Sequence, residues 1–458
     1  MKKSIIVIAI LLAIIATLPV IGNSFMKKTV DTRVDELSSF GLKVKNQSIK
    51  SSYLSTQRHF EFLLQDSEAF VEYLSKYSNQ QIPPYVNAML KGVVVGADIK
   101  YNNLPFSKAI TVELYPLSLS KEFQAKLQKE DPKFEIYLSE FLESKGVLYH
   151  ISYNLLNDKF KGYIKDIETS YDFNKELKIA FDLKGATFKG EGKLIAPQEI
   201  NSMIKSFHVD LINQKEILNI DLVKLSSKSK FDSKNSYETE MELHKLVLHL
   251  NGTQSDTNVT MKDLDISASS NDTKVKSELE SRVSFKEFHI DVKENALNMK
   301  KFLFEVKVDG LDKNKFEVFR SIASKNDLSN SRKYQKDVQT SLIKLLEKGL
   351  TIDIKKFSIK DVEIAKIGDI KGFDIKTKII IKEDPSLTQK MALSPLMAIG
   401  DIDVHTKMKI NKKMYSYMMQ NPGMLIQLNK YAKEDGKNVV FEIDFVDSKM
   451  SINGEALN

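Results

Sequence analysis

From Val147 to about Asp309, apolar and polar residues alternate one by one in run after run, and that period of two leaves few folds open. The runs include LKIAFDLKG, FHVDLINQKEILNIDLVKL, ETEMELHKLVLHL, NVTMKDLDISAS, FKEFHIDVKE and MKKFLFEVKVDG, separated by Asn, Asp, Ser, Gly and Lys. Successive side chains of a strand point to opposite faces. The alternation therefore predicts a long antiparallel sheet with one wet face and one apolar face. The region holds almost no helical pattern of its own, so it does not say what covers the apolar face.

Helical patterns lie on both sides of it. Towards the N-terminus, Val30, Val34 and Leu37 recur at helical spacing and Gly41 is placed as a C-cap, which predicts a juxtamembrane helix with Lys27 and Lys28 near lipid headgroups. Residues 42–64 read as extended. Asp66 can cap a helix carrying Phe70, Leu74 and Tyr77, and Pro83-Pro84 opens another that Gly92 ends. GVVVGADIKY and KAITVELYPLSL read as strands, and a helical section from Lys121 to Ser144 breaks at Asp131-Pro132 and closes at Gly146. Beyond the alternating region come helices over 313–325 and 331–349, further strands, a helix near 386–398, a strand over 400–411 and Met-rich helices over 411–434. In the closing hairpin Val439, Phe441, Ile443 and Phe445 share one face, and Asp447 to Lys449 turn the chain.

Ahead of all this, Ile5 to Ile21 is an uncharged apolar run with Thr17 its only polar residue. Seventeen helical residues span about 26 Å, at the short end of what a bilayer core demands. Lys2 and Lys3 precede the run, so the positive-inside rule puts Met1 in the cytoplasm and the bulk of the chain in the periplasm. Val20 and Gly22 are small enough for a signal-peptidase site, but the run's length favours an uncleaved anchor in the bacterial inner membrane. The fold expected is α+β: an N-terminal membrane helix, then a long curved antiparallel β-sheet with helices packed at both ends. Its expected divisions are 1–24 (anchor or signal peptide), 25–146 (mixed N-terminal region), 147–310 (extended antiparallel β) and 311–458 (C-terminal α+β).

Composition narrows the chemistry. The 68 basic and 61 acidic residues are interspersed, so the net charge of +7 is not the clustered stripe that nucleic acid requires. With no cysteine there is no disulfide, thiolate metal site or cysteine nucleophile. The seven histidines show no HExxH spacing, and His244 and His249, five apart, fall on opposite faces of a strand. KGATFKGEGKL lacks the Gly-Lys-Ser/Thr succession of a phosphate loop and reads as a hairpin. Asp263/Asp265 and Asp401/Asp403 put two carboxylates on one strand face without further ligands. No catalytic, metal or cofactor residue is assigned.

Two candidate sites remain. Met391, Met397, Met414, Met418, Met419 and Met424 crowd one stretch, where flexible thioethers suit either an adaptable apolar patch for a ligand or partner, or an irregular helix–sheet core. Asp256-Thr-Asn258-Val-Thr260 fits the acidic extended acceptor sequence of bacterial N-glycosylation, placing Asn258 as the acceptor, whereas Asn251-Gly-Thr lacks the acidic residue.

The apolar N-terminal run, the helix after it, the alternating strands and a terminal hairpin with the tail SKMSINGEALN, ending its short strand at Asn453-Gly454, together resemble the YdgA-like family of bacterial envelope proteins. The resemblance implies an inner-membrane-anchored periplasmic protein and carries over no catalytic residues. The expected function is a non-enzymatic envelope scaffold or assembly partner, contacting the lipid bilayer and an envelope protein. The alternative is a lipid-binding or lipid-transfer module using the apolar face of the long sheet for phospholipid. An enzyme is the least favoured reading.

Overall fold

The computed structural model describes residues 23–78, 87, 90–104, 109–173, 177–193, 196–213, 216–233, 236–252, 256–293, 295–323, 331–365, 367–420 and 429–457. They form mostly antiparallel sheet, divided into two compact units, Met1–Gln214 and Lys215–Asn458. The division falls inside the 147–310 stretch and not at either of its ends. Residues 5–21, Pro83-Pro84 and Met424 lie outside the described residues. Among those described, no helix is long and apolar enough to cross a membrane.

In the first unit the strands are β1 (Leu42–Ser51), β2 (Ser55–Leu64), β3 (Val94–Asn102), β4 (Ala109–Ser118), β5 (Tyr149–Asn154), β6 (Lys159–Ile164), β7 (Ile167–Asp172), β8 (Leu177–Lys184), β9 (Thr187–Lys193) and β10 (Ala196–Asn213). β1 to β6 pair in order. β6 and β7 then run in line along β9 and β8, and these in turn along β10. Both in-line pairs break at the same level, where Gly185 takes φ +62° and its N–H donates to Asp166 Oδ1 at 2.8 Å.

The helix over 23–39 (α1) forms where the spacing of Val30, Val34 and Leu37 placed it. Its stripe Met26, Val30, Val34 and Leu37 packs into a core with Leu42, Phe60, Phe62, Leu64, Ala97 and Tyr101, and Met26 is only 1% exposed. It is a core helix, because β2 buries every second residue (Thr56, Arg58, Phe60, Phe62, Leu64) and needs an apolar partner. Arg58, itself buried, donates to Asp31 Oδ1 of the helix at 2.6 Å, while Asn23 Oδ1 accepts from Thr56 and Tyr101.

The remaining helices of this unit follow their capping residues. Asp66 caps α2 (Ser67–Ser78) by accepting from Ala69 N–H. Asp131 ends α3 (Lys121–Glu130) and caps α4 (Pro132–Glu143), so one residue makes the break that Pro132 enforces. Phe141 of α4 packs on Ile167, Leu183 and Ala186, over the level where the paired strands break.

In the second unit β11 (Glu216–Phe231), β12 (Tyr237–Asn251), β13 (Asp256–Asp272), β14 (Lys276–Val292), β15 (Asn295–Asp312) and β16 (Leu350–Ile364) form an antiparallel meander. It continues through β18 (Phe373–Ile381), β19 (Ile402–Asn411), β21 (Asn438–Val446) and β22 (Lys449–Ile452), with the short β17 (Gly368–Asp369), β20 (Lys433–Asp435) and β23 (Glu455–Ala456) pairing at the margins. At 15 to 18 residues, β11–β16 are each roughly 50–60 Å long.

Helices close parts of this sheet. α5 (Lys313–Ala323) and α6 (Ser331–Leu346) pack at one end, with Phe316, Phe319, Leu345 and Leu346 against Leu279, Val308, Ile352 and Ile381. The expected helix near 386–398 is α7 (Leu387–Leu393) followed by a 3-10 turn, Pro395–Asp401, since Pro395 cannot continue the α-helix. α8 (Lys412–Met418) packs on Ile410, Val439, Phe441 and Ile452. The terminal turns use positive φ at Asp447 and Ser448 and again at Asn453 and Gly454, the backbone that tight hairpins demand.

Candidate functional site

The six long strands share a pattern that strict alternation would forbid. Each contains two apolar residues three positions apart: Leu222 and Leu225, Leu243 and Leu246, Met261 and Leu264, Phe285 and Phe288, Met299 and Phe302, Ile359 and Val362. In a regular strand such pairs would point to opposite faces. The residues between them stand in one transverse row, since the flanking pairings set Lys224 opposite His244, then Asp263, Lys286, Lys301 and Lys360. On alternate strands the row residue is left-handed, at Lys224 (φ 51°), Asp263 (φ 50°) and Lys301 (φ 56°).

The row is a crease that keeps the apolar residues on one side. Phe285 and Phe288 have ring centroids only 6.0 Å apart, so both lie on the same face across it. One transverse apolar row runs without a gap through nine strands: Leu225, Leu243, Leu264, Phe285, Phe302, Ile359, Phe373, Ile410 and Val439. On the other side of the crease lie Leu222, Leu246, Met261, Phe288, Met299 and Val362, then Ile220, Leu248, Val259, Ile290, Leu297 and Ile364. Phe285 stacks on Phe302 at 4.7 Å, and Phe302, Phe304 and Phe373 surround Phe357 at 5.0–6.2 Å. Each such aromatic pair adds about 0.5–1.5 kcal/mol beyond its buried area.

The opposite face is ionic. Lys262 bridges to Glu287 at 2.7 Å, Lys307 to Glu278 at 2.8 Å and Lys355 to Glu280 at 3.0 Å, each across neighbouring strands or one strand further. The Lys262 hydrogen bond holds the Glu287 carboxyl below its ordinary range. Cross-strand pairs of this kind fix register more than they add stability.

What covers the apolar face differs along it. The clusters under α5 and α6 and under α8 include none of the central side chains of β11–β15, such as Ile220, Leu246, Val259, Phe288 and Phe302. Among the described residues, those side chains are half-buried. Six strands by nine residues amounts to an apolar face on the order of 700 Å².

The sequence-derived candidates sit elsewhere. Met414, Met418 and Met419 pack against Tyr415, Phe441 and Ile452 and fill an irregular helix–sheet interface. Met391 belongs to α7, and Met397 is 53% exposed on the 3-10 turn, so the described methionines do not form one patch. Asn258 stands inside β13, paired to both β12 and β14, with its side chain bonded to His249 Nδ1. That is a paired strand and not the exposed turn its sequence context suggested. Asp401 and Asp403 are taken by Lys390 and Lys382, and Asp263 by His244. Among the described residues, no three His, Asp or Glu side chains are grouped to hold a metal.

No protein-family model, curated protein or solved structure matches the chain.

Proposed function

We propose that this chain is an inner-membrane-anchored periplasmic protein of the YdgA-like kind, and that the apolar face of β11–β16 shelters the acyl chains of a phospholipid. The observation that carries this reading is the continuity of the face across the crease. Soluble monomers rarely leave several hundred square ångströms of contiguous apolar surface without a ligand or partner. Each methylene moved from water onto such a face contributes about 0.8 kcal/mol, so a sixteen-carbon acyl chain laid along it contributes on the order of 13 kcal/mol. The crease supports the reading further, because three of the six strands accept a left-handed residue at one level, and both halves stay apolar on one side.

The test is native mass spectrometry of the chain from Gly22 onward, exported to the periplasm and purified without detergent, with lipid extraction in parallel. Starting at Gly22 keeps Asn23 and its hydrogen bonds to Thr56 and Tyr101. Stoichiometric phospholipid is expected, and it should fall at least tenfold in the double variant Leu248→Lys, Val259→Lys, whose side chains are register neighbours on the face. A lipid-free mass at native abundance would sink the reading. The envelope scaffold would then take first place, with the same face docking a partner protein.

A further inference from the structure

The first unit carries a different kind of surface on the face of β1–β5 turned away from α1. Side chains directly opposite one another on paired strands share a face, so the register assembles two transverse polar rows there. One is Ser48, His59, Asp98, Glu113 and His150, continued by Tyr163; the other is Lys50, Gln57, Lys100, Thr111 and Ser152. A cavity of about 500 Å³ opens over them, lined by Lys50, Gln57, Lys100 and Thr111 from one row and His59 and Asp98 from the other, among others.

The two rows differ in charge balance. The first is internally compensated. Lys145 Nζ lies 2.6 Å from Asp98 Oδ2 and 3.6 Å from Glu113 Oε2, Tyr115 OH donates to Asp98 at 2.9 Å, and His59 Nδ1 sits 2.7 Å from Asp98 Oδ1. His150 stacks on Tyr163 at 4.7 Å, which holds the far end of the row. Burial acts to raise the Asp98 carboxyl, but the bonds from Lys145, His59 and Tyr115 outweigh it and keep the group ionised. The second row has two ammonium groups, an amide and hydroxyls, and no acid. Among the described residues neither Lys50 nor Lys100 has a carboxylate partner.

An anion is what this arrangement lacks, and the donor set selects which one. Lys50 and Lys100 flank β2, with backbones roughly 9–10 Å apart, close enough for flexible side chains to converge on one group. A carboxylate offers two oxygens, whereas a phosphate offers three to two ammonium groups, an amide and a hydroxyl together. The cavity is much larger than phosphate alone, and its other wall presents fixed acceptors suited to hydroxyl groups. We propose that this cavity binds the phosphate ester of a small polyol. The ester is either a free solute or a lipid headgroup, and it is held at Lys50 and Lys100 and oriented by His59 and Asp98. The site belongs to the first unit and the acyl-chain face to the second, so either assignment can fail alone.

The experiment titrates the full chain, in phosphatidylcholine nanodiscs, with inorganic phosphate and with glycerol 1-phosphate, and follows binding by calorimetry. Glycerol 1-phosphate is expected to bind more tightly than phosphate, and at least tenfold more weakly to the Lys50→Ala, Lys100→Ala variant. Lys161→Ala, on the same face but outside the cavity lining, should leave affinity unchanged. Adding phosphatidylglycerol to the discs should displace the solute if the natural ligand is a lipid headgroup, and leave it bound if the ligand is a free ester. No binding at millimolar concentration, or equal affinity in wild type and the double lysine variant, would overturn the proposal. Because both lysines are exposed and unpaired, the variant keeps its fold, which circular dichroism verifies alongside.

Discussion

Phe285 and Phe288 sit three positions apart in one strand, yet their rings lie 6.0 Å from each other on a single face. The chain between them, Lys286 and Glu287, changes sides so that the apolar residues need not. The same device recurs on five neighbouring strands at one level, and it makes the alternating rows of β11–β16 one continuous surface.

The crease can be tested by backbone chemistry alone. Lys301 holds φ 56°, where a side chain costs about 1–2 kcal/mol, whereas Lys286 on the neighbouring strand has no positive φ. Lys301→Gly is therefore expected to be neutral or to stabilise by about 0.5 kcal/mol, and Lys301→Val to destabilise by about 1–2 kcal/mol. Lys286→Gly should cost about 0.5–1 kcal/mol. Urea unfolding of the three variants checks the alternation; equal effects at positions 286 and 301 would refute it.

The link between α1 and its sheet should depend on pH in a defined direction. Burial acts to raise the Asp31 carboxyl, but hydrogen bonds from Lys27 and Arg58 outweigh it, so the folded value lies below the ordinary one. A depressed carboxylate contributes its stability above the unfolded value, and that contribution disappears as pH falls through the folded value. Asp31→Asn leaves the buried Arg58 guanidinium uncompensated and should cost about 2–3 kcal/mol at pH 7. The cost is held below that of a fully buried pair because Asp31 is 36% exposed. The gap between variant and wild type should narrow below about pH 4. A gap constant from pH 7 to pH 3 would rule the pair out.

Met418 and Met419 serve the core under α8, so Met418→Asp with Met419→Asp should act on stability first. A loss of about 2–5 kcal/mol is expected, with C-terminal amides exchanging faster while β11–β15 keep their protection. Unchanged unfolding midpoints would return these residues to the role of a surface patch.

Asn258 offers a timing test. Its amide is flanked by β12 and β14 and bonded to His249, so a bacterial oligosaccharyltransferase should modify an unfolded peptide over residues 250–266 and leave the folded chain untouched. Mass spectrometry of both reactions decides it, and glycan on the folded chain at Asn258 would contradict the strand placement.

How much of this could be read from the residues varies with range in sequence. Alternation predicted the long antiparallel strands, and Asp66 and Asp131 cap helices where their chemistry puts them. The crease was also written in the sequence, as six apolar pairs spaced by three inside strands that otherwise keep a period of two. It becomes meaningful only when the six are compared. The core role of Met26 and Val30 was hidden because a helical stripe looks alike whether it meets a sheet or water. The row from His59 to His150 was not legible at all. It joins residues 39, 15 and 37 positions apart, and only the register of four strands brings them to one level.

The burial of Met26 has a mechanical consequence. Only four residues separate it from Ile21, the last of the apolar run. Were that run to cross a bilayer, the first unit would be gripped by a rigid hilt and not tethered by a leash. Residues 23–39 cannot release slack without tearing Met26 and Val30 from the core, so any torque on the span would be felt directly by the sheet. A protein built this way would not sweep the space around its anchor. It would stand at a set tilt, and lengthening the stretch before Asn23 with glycine and serine would be the direct way to let it swing.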